Sequence, residues 1–121
     1  MKFLIVDDSF VVRKSNEHHI LSAFPDAEII FAEDGKEALL LLLKKKICPD
    51  LILMDVHMPG LNGIETLKEL KKSYDNFQVP VIMVTAEAKK ELIVEMIKLG
   101  VSGYLVKPYK PKDLIDKILK L

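Results

Sequence analysis

The chain has 121 residues, half of them hydrophobic, with 18 basic and 18 acidic side chains and a formal net charge of zero. That is the length of one domain with ample apolar material for a core, and the balanced charge argues against a dedicated nucleic-acid binder, which needs a strongly basic face. A single cysteine, Cys48, excludes an internal disulfide, no apolar run approaches the roughly 18–20 residues that span a bilayer, and "MKFLIVDD" turns acidic too soon for a secretory signal, so a cytoplasmic protein without membrane contact is expected.

The first apolar run, "FLIV" at 3–6, leads directly into two adjacent carboxylates, Asp7 and Asp8. Like charges side by side repel, so a compensating cation is implied. A helix is expected over 10–24, stopped by Pro25. The second run, "AEIIFA" at 27–32, leads to Asp34 and Gly35, a turn and helix start. The helix over 35–46 carries "EALLLLLKKK", apolar nearly all the way round. It is expected to be well buried and to end in solvated lysines, which suit a helix C-terminus. Cys48 reads as a small apolar residue before Pro49.

The third run, "LILM" at 51–54, ends on Asp55, and a helix follows over 63–73. "KKSYDNFQVP" reads as a surface connection to "VPVIMV" at 79–84, which ends on Thr85. The fourth helix, 88–99, stops at Gly100. Its inward stripe is expected to be Leu92, Ile93, Met96, Ile97 and Leu99, with Val94 just outside. "YLV" at 104–106 leads to Lys107, and the last helix, 111–120, opens on Pro111 with Asp113 close behind.

Several of the runs are continuous rather than alternating, as strands buried on both faces require. Five strand–helix pairs in alternation imply parallel strands, right-handed crossovers and helices on both faces of an open α/β sheet. A single domain over 1–121, with no output domain attached, is expected.

Open parallel sheets hold ligands beyond the carboxyl ends of their strands, where strand order reverses. Asp7, Asp8, Asp55, Thr85 and Lys107 all fall there. Singly each has an ordinary explanation: a capping aspartate, a threonine N-cap for the fourth helix, a solvated lysine. Together they suit one task. Three carboxylates hold a hard divalent cation, Mg²⁺ or Mn²⁺. A lysine and a hydroxyl satisfy phosphoryl oxygens. Asp55, on a central strand, is placed as a nucleophile toward phosphorus, giving an acyl phosphate.

"VDDS", "LILMDVHMPGLNG", "VIMVTA" and "GYLVKPY" resemble the receiver domains of two-component response regulators, especially stand-alone ones of the chemotaxis-regulator type. The resemblance covers essentially the whole chain. It implies the flavodoxin-like (βα)5 fold with strand order 2-1-3-4-5. It implies Asp55 as phosphoacceptor, charged by a phosphohistidine on a sensor histidine kinase or phosphotransfer protein. On that pattern Asp8 and Asp55 ligate the metal directly, Asp7 does so largely through water, and the backbone carbonyl of His57 completes the protein's share. Lys107 contacts the phosphoryl oxygens, and Thr85 moves its hydroxyl onto the new phosphate.

Tyr104 then turns inward; as an ordinary strand residue it would instead sit half-buried with its hydroxyl in water. The Lys107–Pro108 bond is expected to be cis. The surface of the fourth helix, fifth strand and fifth helix changes and signals to a downstream target protein. The chain would act as no enzyme beyond its own phosphotransfer and dephosphorylation, bind no nucleic acid directly, and be a monomer or weak dimer. A motor switch, a phosphorelay, a phosphate sink and sporulation signalling all fit, with chemotaxis slightly favoured.

His57, two residues after Asp55, and Glu87, two after Thr85, are expected at the mouth of the site, with His57 a solvated loop residue. His18 and His19 are adjacent on a helix and point apart, a poor metal pair. A haloacid-dehalogenase-type phosphatase also uses Asp, Thr, Lys and Mg²⁺. Its nucleophile precedes a second aspartate by two residues, whereas here "DD" is adjacent and Asp55 stands alone. A phosphorylation-independent interaction module on the same scaffold is the other alternative.

Overall fold

The structure, a computed structural model, describes residues 1–121. In chain order the elements are β1 (Lys2–Val6), α1 (Phe10–Ala23), β2 (Glu28–Ala32), α2 (Gly35–Leu39) widening into a π-helix (Leu40–Lys44), β3 (Leu51–Asp55), α3 (Gly63–Ser73), β4 (Val81–Thr85), α4 (Lys90–Lys98), β5 (Gly103–Val106) and α5 (Pro111–Leu119). The strands form one parallel sheet in the order β2-β1-β3-β4-β5. This is the flavodoxin-like arrangement that the resemblance to receiver domains implied.

The continuous apolar runs explain why both faces are covered. Successive strand residues point to opposite faces. Leu4 and Val6, Ile52 and Met54, and Val81 and Met83 join one core with Ala38, Leu67 and Met96 from α2, α3 and α4. Their neighbours Phe3 and Ile5, Leu51 and Leu53, and Ile82 and Val84 join a second core with Ile20 of α1 and Leu114 and Ile118 of α5. Each fully buried Leu or Ile contributes roughly 1.5–3 kcal/mol, so the central strands are the most strongly held part of the chain. Asp7, Asp55 and Thr85 are carried by that rigid platform.

Helix starts are fixed by side chains. Ser9 Oγ accepts from Val12 N–H at 3.2 Å, Asp34 Oδ1 from Glu37 N–H at 2.8 Å. Asn62 and Glu65 cap each other's backbone at 2.8 and 2.9 Å, a reciprocal capping box. Thr85 is not the cap of α4; that position is Lys89.

Three expectations need correction. The second helix is not well buried. It covers the edge strand β2 and packs beside α3, so leucines on every side outnumber the partners available. Leu42 is buried, while Leu39, Leu41 and Leu43 are half-buried and Leu40 is 45% exposed. Ile97 is not part of the inward stripe of α4; it is 66% exposed. It lies one position round from Met96, which takes the inward place, and one position is about 100°. Cys48 is exposed rather than packed.

One close approach ties the fold to its polar edge. A methyl group added at Gly63 would lie 2.3 Å from the Asp55 carbonyl oxygen and 2.9 Å from Met83 Cε. Gly63→Ala is therefore expected to cost about 1–3 kcal/mol in urea unfolding, as overpacking does. Gly103→Ala meets only the Lys117 stem, at 3.6 Å, and should leave the unfolding midpoint nearly unchanged.

Candidate functional site

The site stands at the carboxyl edge of β1, β3, β4 and β5. Asp7 follows β1 and Asp55 ends β3, so the pairing of those strands brings their carboxylates together. Asp8, one residue on, is exposed. Carboxylate oxygens of Asp7, Asp8 and Asp55 all lie within 4.8 Å of one another. Asp7 is 2% exposed and Asp55 5%. Lys107, after β5, reaches across β4 and places Nζ 3.3 Å from Asp55 Oδ2 and 3.7 Å from Asp7 Oδ2.

This is a costly cluster. Burying a carboxylate disfavours its charged form, and a second carboxylate nearby adds to the penalty. Burial pushes the Asp7 carboxyl above its ordinary value, the Ser9 N–H pulls it down, and the Asp55 charge pushes it up again; Lys107 lowers it and Asp8 raises it by smaller amounts. The Ser9 N–H donates to Asp7 Oδ1 at 2.9 Å and the His57 N–H to Asp55 Oδ1 at 3.3 Å. One ammonium against three carboxylates leaves negative charge uncompensated. An all-oxygen donor set of this density fits a hard divalent cation, and Asp7, Asp8 and Asp55 are the residues that would hold it.

Thr85, fully buried, ends β4. Its hydroxyl is engaged locally. It donates to the Glu87 carbonyl at 3.0 Å and accepts from the Glu87 N–H at 3.1 Å, and it lies 3.4 Å from His57 Nε2. His57 is exposed, as expected of a loop residue, yet its ring touches the threonine. Glu87 is held by Lys89 at 2.8 Å, which lowers its carboxyl, with His57 adding slightly. Tyr104 is half-buried against the core under α4, paired with Met83. Met83 and Thr85 are two apart, so Tyr104 lies on the same sheet face as Thr85. The Lys107–Pro108 peptide is cis.

The sequence reading missed three residues behind the carboxylates. Arg13 is buried, and its Nη1 donates to the Asp7 carbonyl at 2.6 Å while Nη2 lies 3.8 Å from Glu33. Asn16, also buried, accepts from the Tyr109 hydroxyl at 2.9 Å. Burial pushes the Tyr109 hydroxyl up, and the Asp7 and Asp55 charges add to this. A signal was available: Arg13, Asn16 and Ile20 are the buried stripe of α1, so two polar side chains occupy an inward helical phase. His18 and His19 are not brought to the site; the His19 ring bonds the Ser15 carbonyl at 2.6 Å.

Comparison with known proteins agrees with this geometry. The family model of the response regulator receiver domain matches residues 3–119. The chain is 38% identical to chemotaxis protein CheY-3 of Vibrio cholerae over 121 residues, covering all of this chain and 91% of that protein. It is 37% identical to chemotaxis protein CheY of Pseudomonas aeruginosa, covering 100% and 95%. Among solved structures, chemotaxis response regulator CheY4 of Vibrio cholerae superposes with TM-score 0.82 at 34% identity, covering 98% and 96% of the two chains.

Asp7 yields a pH prediction. Its folded value lies above its unfolded one, so the folded state holds the proton more tightly. The resulting loss of stability is absent at pH well below 3.8, grows as pH rises through the folded value, and is complete above it. In metal-free buffer at neutral pH, Asp7→Asn should therefore be more stable than the wild type, and the difference should vanish on acidification. Paired urea titrations check this. A variant less stable at neutral pH would contradict it.

Proposed function

Since the chain belongs to the response regulator receiver domain family, we propose that it is a phosphorylation-dependent switch in which Asp55 accepts a phosphoryl group from a phosphohistidine of a sensor kinase or phosphotransfer protein. The observation that supports this best is the convergence of a nearly buried Asp55 with two further carboxylates and the Lys107 ammonium, 3.3 Å away. In the transfer, the phosphorus–nitrogen bond breaks as an Asp55 carboxylate oxygen forms the new phosphorus–oxygen bond. The imidazole leaves with the former bonding pair and takes up a proton from water.

Such a transfer needs positioning and charge neutralisation rather than acid–base help. Asp7, Asp8 and Asp55, with the carbonyl of His57, would hold Mg²⁺, which when bound neutralises carboxylate and phosphoryl charge. Lys107 contacts Asp55 before transfer and is within reach of a phosphoryl oxygen afterwards. The protein promotes its own charging and discharge and turns over no other substrate.

The switch follows from the charge that transfer adds, about −1.5 to −2. Thr85 exchanges its bonds to Glu87 for a phosphoryl oxygen. The space it leaves lies on the sheet face that carries Tyr104, which turns inward. The surface of α4, β5 and α5 then changes, with Val94 and Ile97 exposed on it at 41% and 66%. This is a shift between two states of one scaffold, so a target that prefers the switched surface also favours phosphorylation. The names of the relatives favour chemotaxis as the output.

Two measurements test this. Incubation with Mg²⁺ and acetyl phosphate should add one base-labile phosphoryl group to the wild type and none to Asp55→Asn; labelling of that variant, or none of the wild type, contradicts the assignment. Thr85→Ala should still be labelled, but its backbone amide shifts in α4 and β5 should move far less than those of the wild type.

A further inference from the structure

The position of Lys107 needs more support than its own strand supplies. β5 ends at Val106 and α5 begins at Pro111, so Lys107, Pro108, Tyr109 and Lys110 form a loop connection, the kind of segment that is ordinarily more mobile than the elements it joins. β5 is an edge strand with β4 as its one neighbour. Yet the Lys107 ammonium, at the tip of a flexible stem, is set 3.3 Å from Asp55 Oδ2 and 3.7 Å from Asp7 Oδ2. The Lys107 N–H donates to the Thr85 carbonyl at 2.8 Å, which fixes the start of the connection.

Its far side is fixed by α1. The Tyr109 hydroxyl donates to Asn16 Oδ1 at 2.9 Å, a bond across 93 residues of sequence. Asn16 is 6% exposed. Arg13, one turn earlier on the same helical face, donates to the Asp7 carbonyl. One face of α1 thus grips both flanks of the cleft, Asp7 through Arg13 and the root of Lys107 through Tyr109. Burial pushes the Tyr109 hydroxyl above its ordinary value, so it stays protonated and remains the donor at neutral pH. The Tyr109 ring packs on the second core, but apolar contact is non-directional, whereas a hydroxyl bond fixes both distance and angle. A cavity of about 330 Å³ lined by Ser15, Asn16, Lys107 and Tyr109 among others adjoins the pair, so the connection has room to shift when the bond is absent.

We propose that Asn16 and Tyr109 are positioning residues for Lys107: their hydrogen bond pins the β5–α5 connection to α1 and so holds the ammonium between the two carboxylates. Neither residue touches the reacting atoms; both act through Lys107. Without the bond, the root of Lys107 shifts toward the cavity and the ammonium spends part of its time in solvent, away from Asp55. The kinetic consequence rests on the reading of Asp55 as phosphoacceptor, whereas the placement of Lys107 does not and is measured separately.

Two variants remove the bond: Tyr109→Phe, which takes away one oxygen and no packing, and Asn16→Leu, which takes away the acceptor. Tyr109→Phe alone suffices where Asn16→Leu does not fold. Reductive methylation of the metal-free full chain, followed by peptide mass spectrometry, reads how shielded each lysine is. Lys107 should be modified about two- to tenfold faster in both variants than in the wild type, the weight of one net hydrogen bond. The exposed Lys36 and Lys44 should be unchanged and serve as internal references. Labelling of Asp55 by acetyl phosphate and Mg²⁺ should slow by a similar factor. In a Lys107→Ala background Tyr109→Phe should slow it no further, because the tyrosine acts only through the lysine. A merely structural role would slow both backgrounds alike. Lys107 equally shielded in the wild type and Tyr109→Phe, or labelling slowed alike in both backgrounds, would overturn the proposal. A wild type that takes up no phosphoryl label would instead count against Asp55 as phosphoacceptor, and the methylation result would still decide whether Asn16 and Tyr109 place Lys107.

Discussion

Two nearly buried carboxylates on adjacent strands are the constraint that organises this molecule. Asp7 and Asp55 are placed by the β1–β3 pairing, and that pairing is held by apolar side chains on both faces. Uncompensated, such a pair would drive protonation or local opening. The surrounding groups supply compensation in part. Backbone N–H groups of Ser9 and His57 point at the carboxylates, and the Lys107 ammonium lies between them. Arg13 donates to the carbonyl of Asp7 from beneath. What is left is a net negative cleft backed by a rigid core, with a donor set that suits a hard cation and, on the proposed function, a phosphoryl group beside it.

The same arrangement explains how a small chemical change could travel. Thr85 is fully buried but bonded only to its own loop and to an exposed histidine. Those bonds are individually modest, about 0.5–1.5 kcal/mol each, so a new dianionic acceptor competes with them readily. Tyr104 shares the sheet face with Thr85, and α4 meets the core chiefly through Met96. The Thr85 side chain and Tyr104, which the proposed switch would move, thus lie on the sheet face that α4 covers, while the acidic cluster sits at the ends of the densely packed strands.

Much of this was legible in the sequence. Continuous apolar runs with polar residues at the same ends predicted a doubly covered parallel sheet and the gathering of Asp7, Asp8, Asp55 and Lys107. The bounds of α3 and the start at Phe10 agree with the expected ranges, and the starts at Gly35 and Pro111 followed from turn and first-turn chemistry. Less legible was whatever depended on how many neighbours a face would find. The leucines of α2 and Ile97 of α4 read as core because they are apolar, yet both helices lie toward the edges of the sheet, where one side has no partner. Arg13 and Asn16 were missed for the opposite reason: polar residues were sought after strands rather than inside a helix that packs beneath the site.

The most direct test of the account is the melting temperature of the metal-free protein measured against Mg²⁺ concentration. A ligand bound only by the folded state stabilises it by RT ln(1 + [L]/Kd). The wild type should therefore melt progressively higher as Mg²⁺ rises, and Asp8→Asn should require about tenfold more Mg²⁺ or show no rise. A wild type that melts at the same temperature throughout, or an Asp8→Asn variant that responds equally, would contradict the claim that the carboxylate cluster is a cation site.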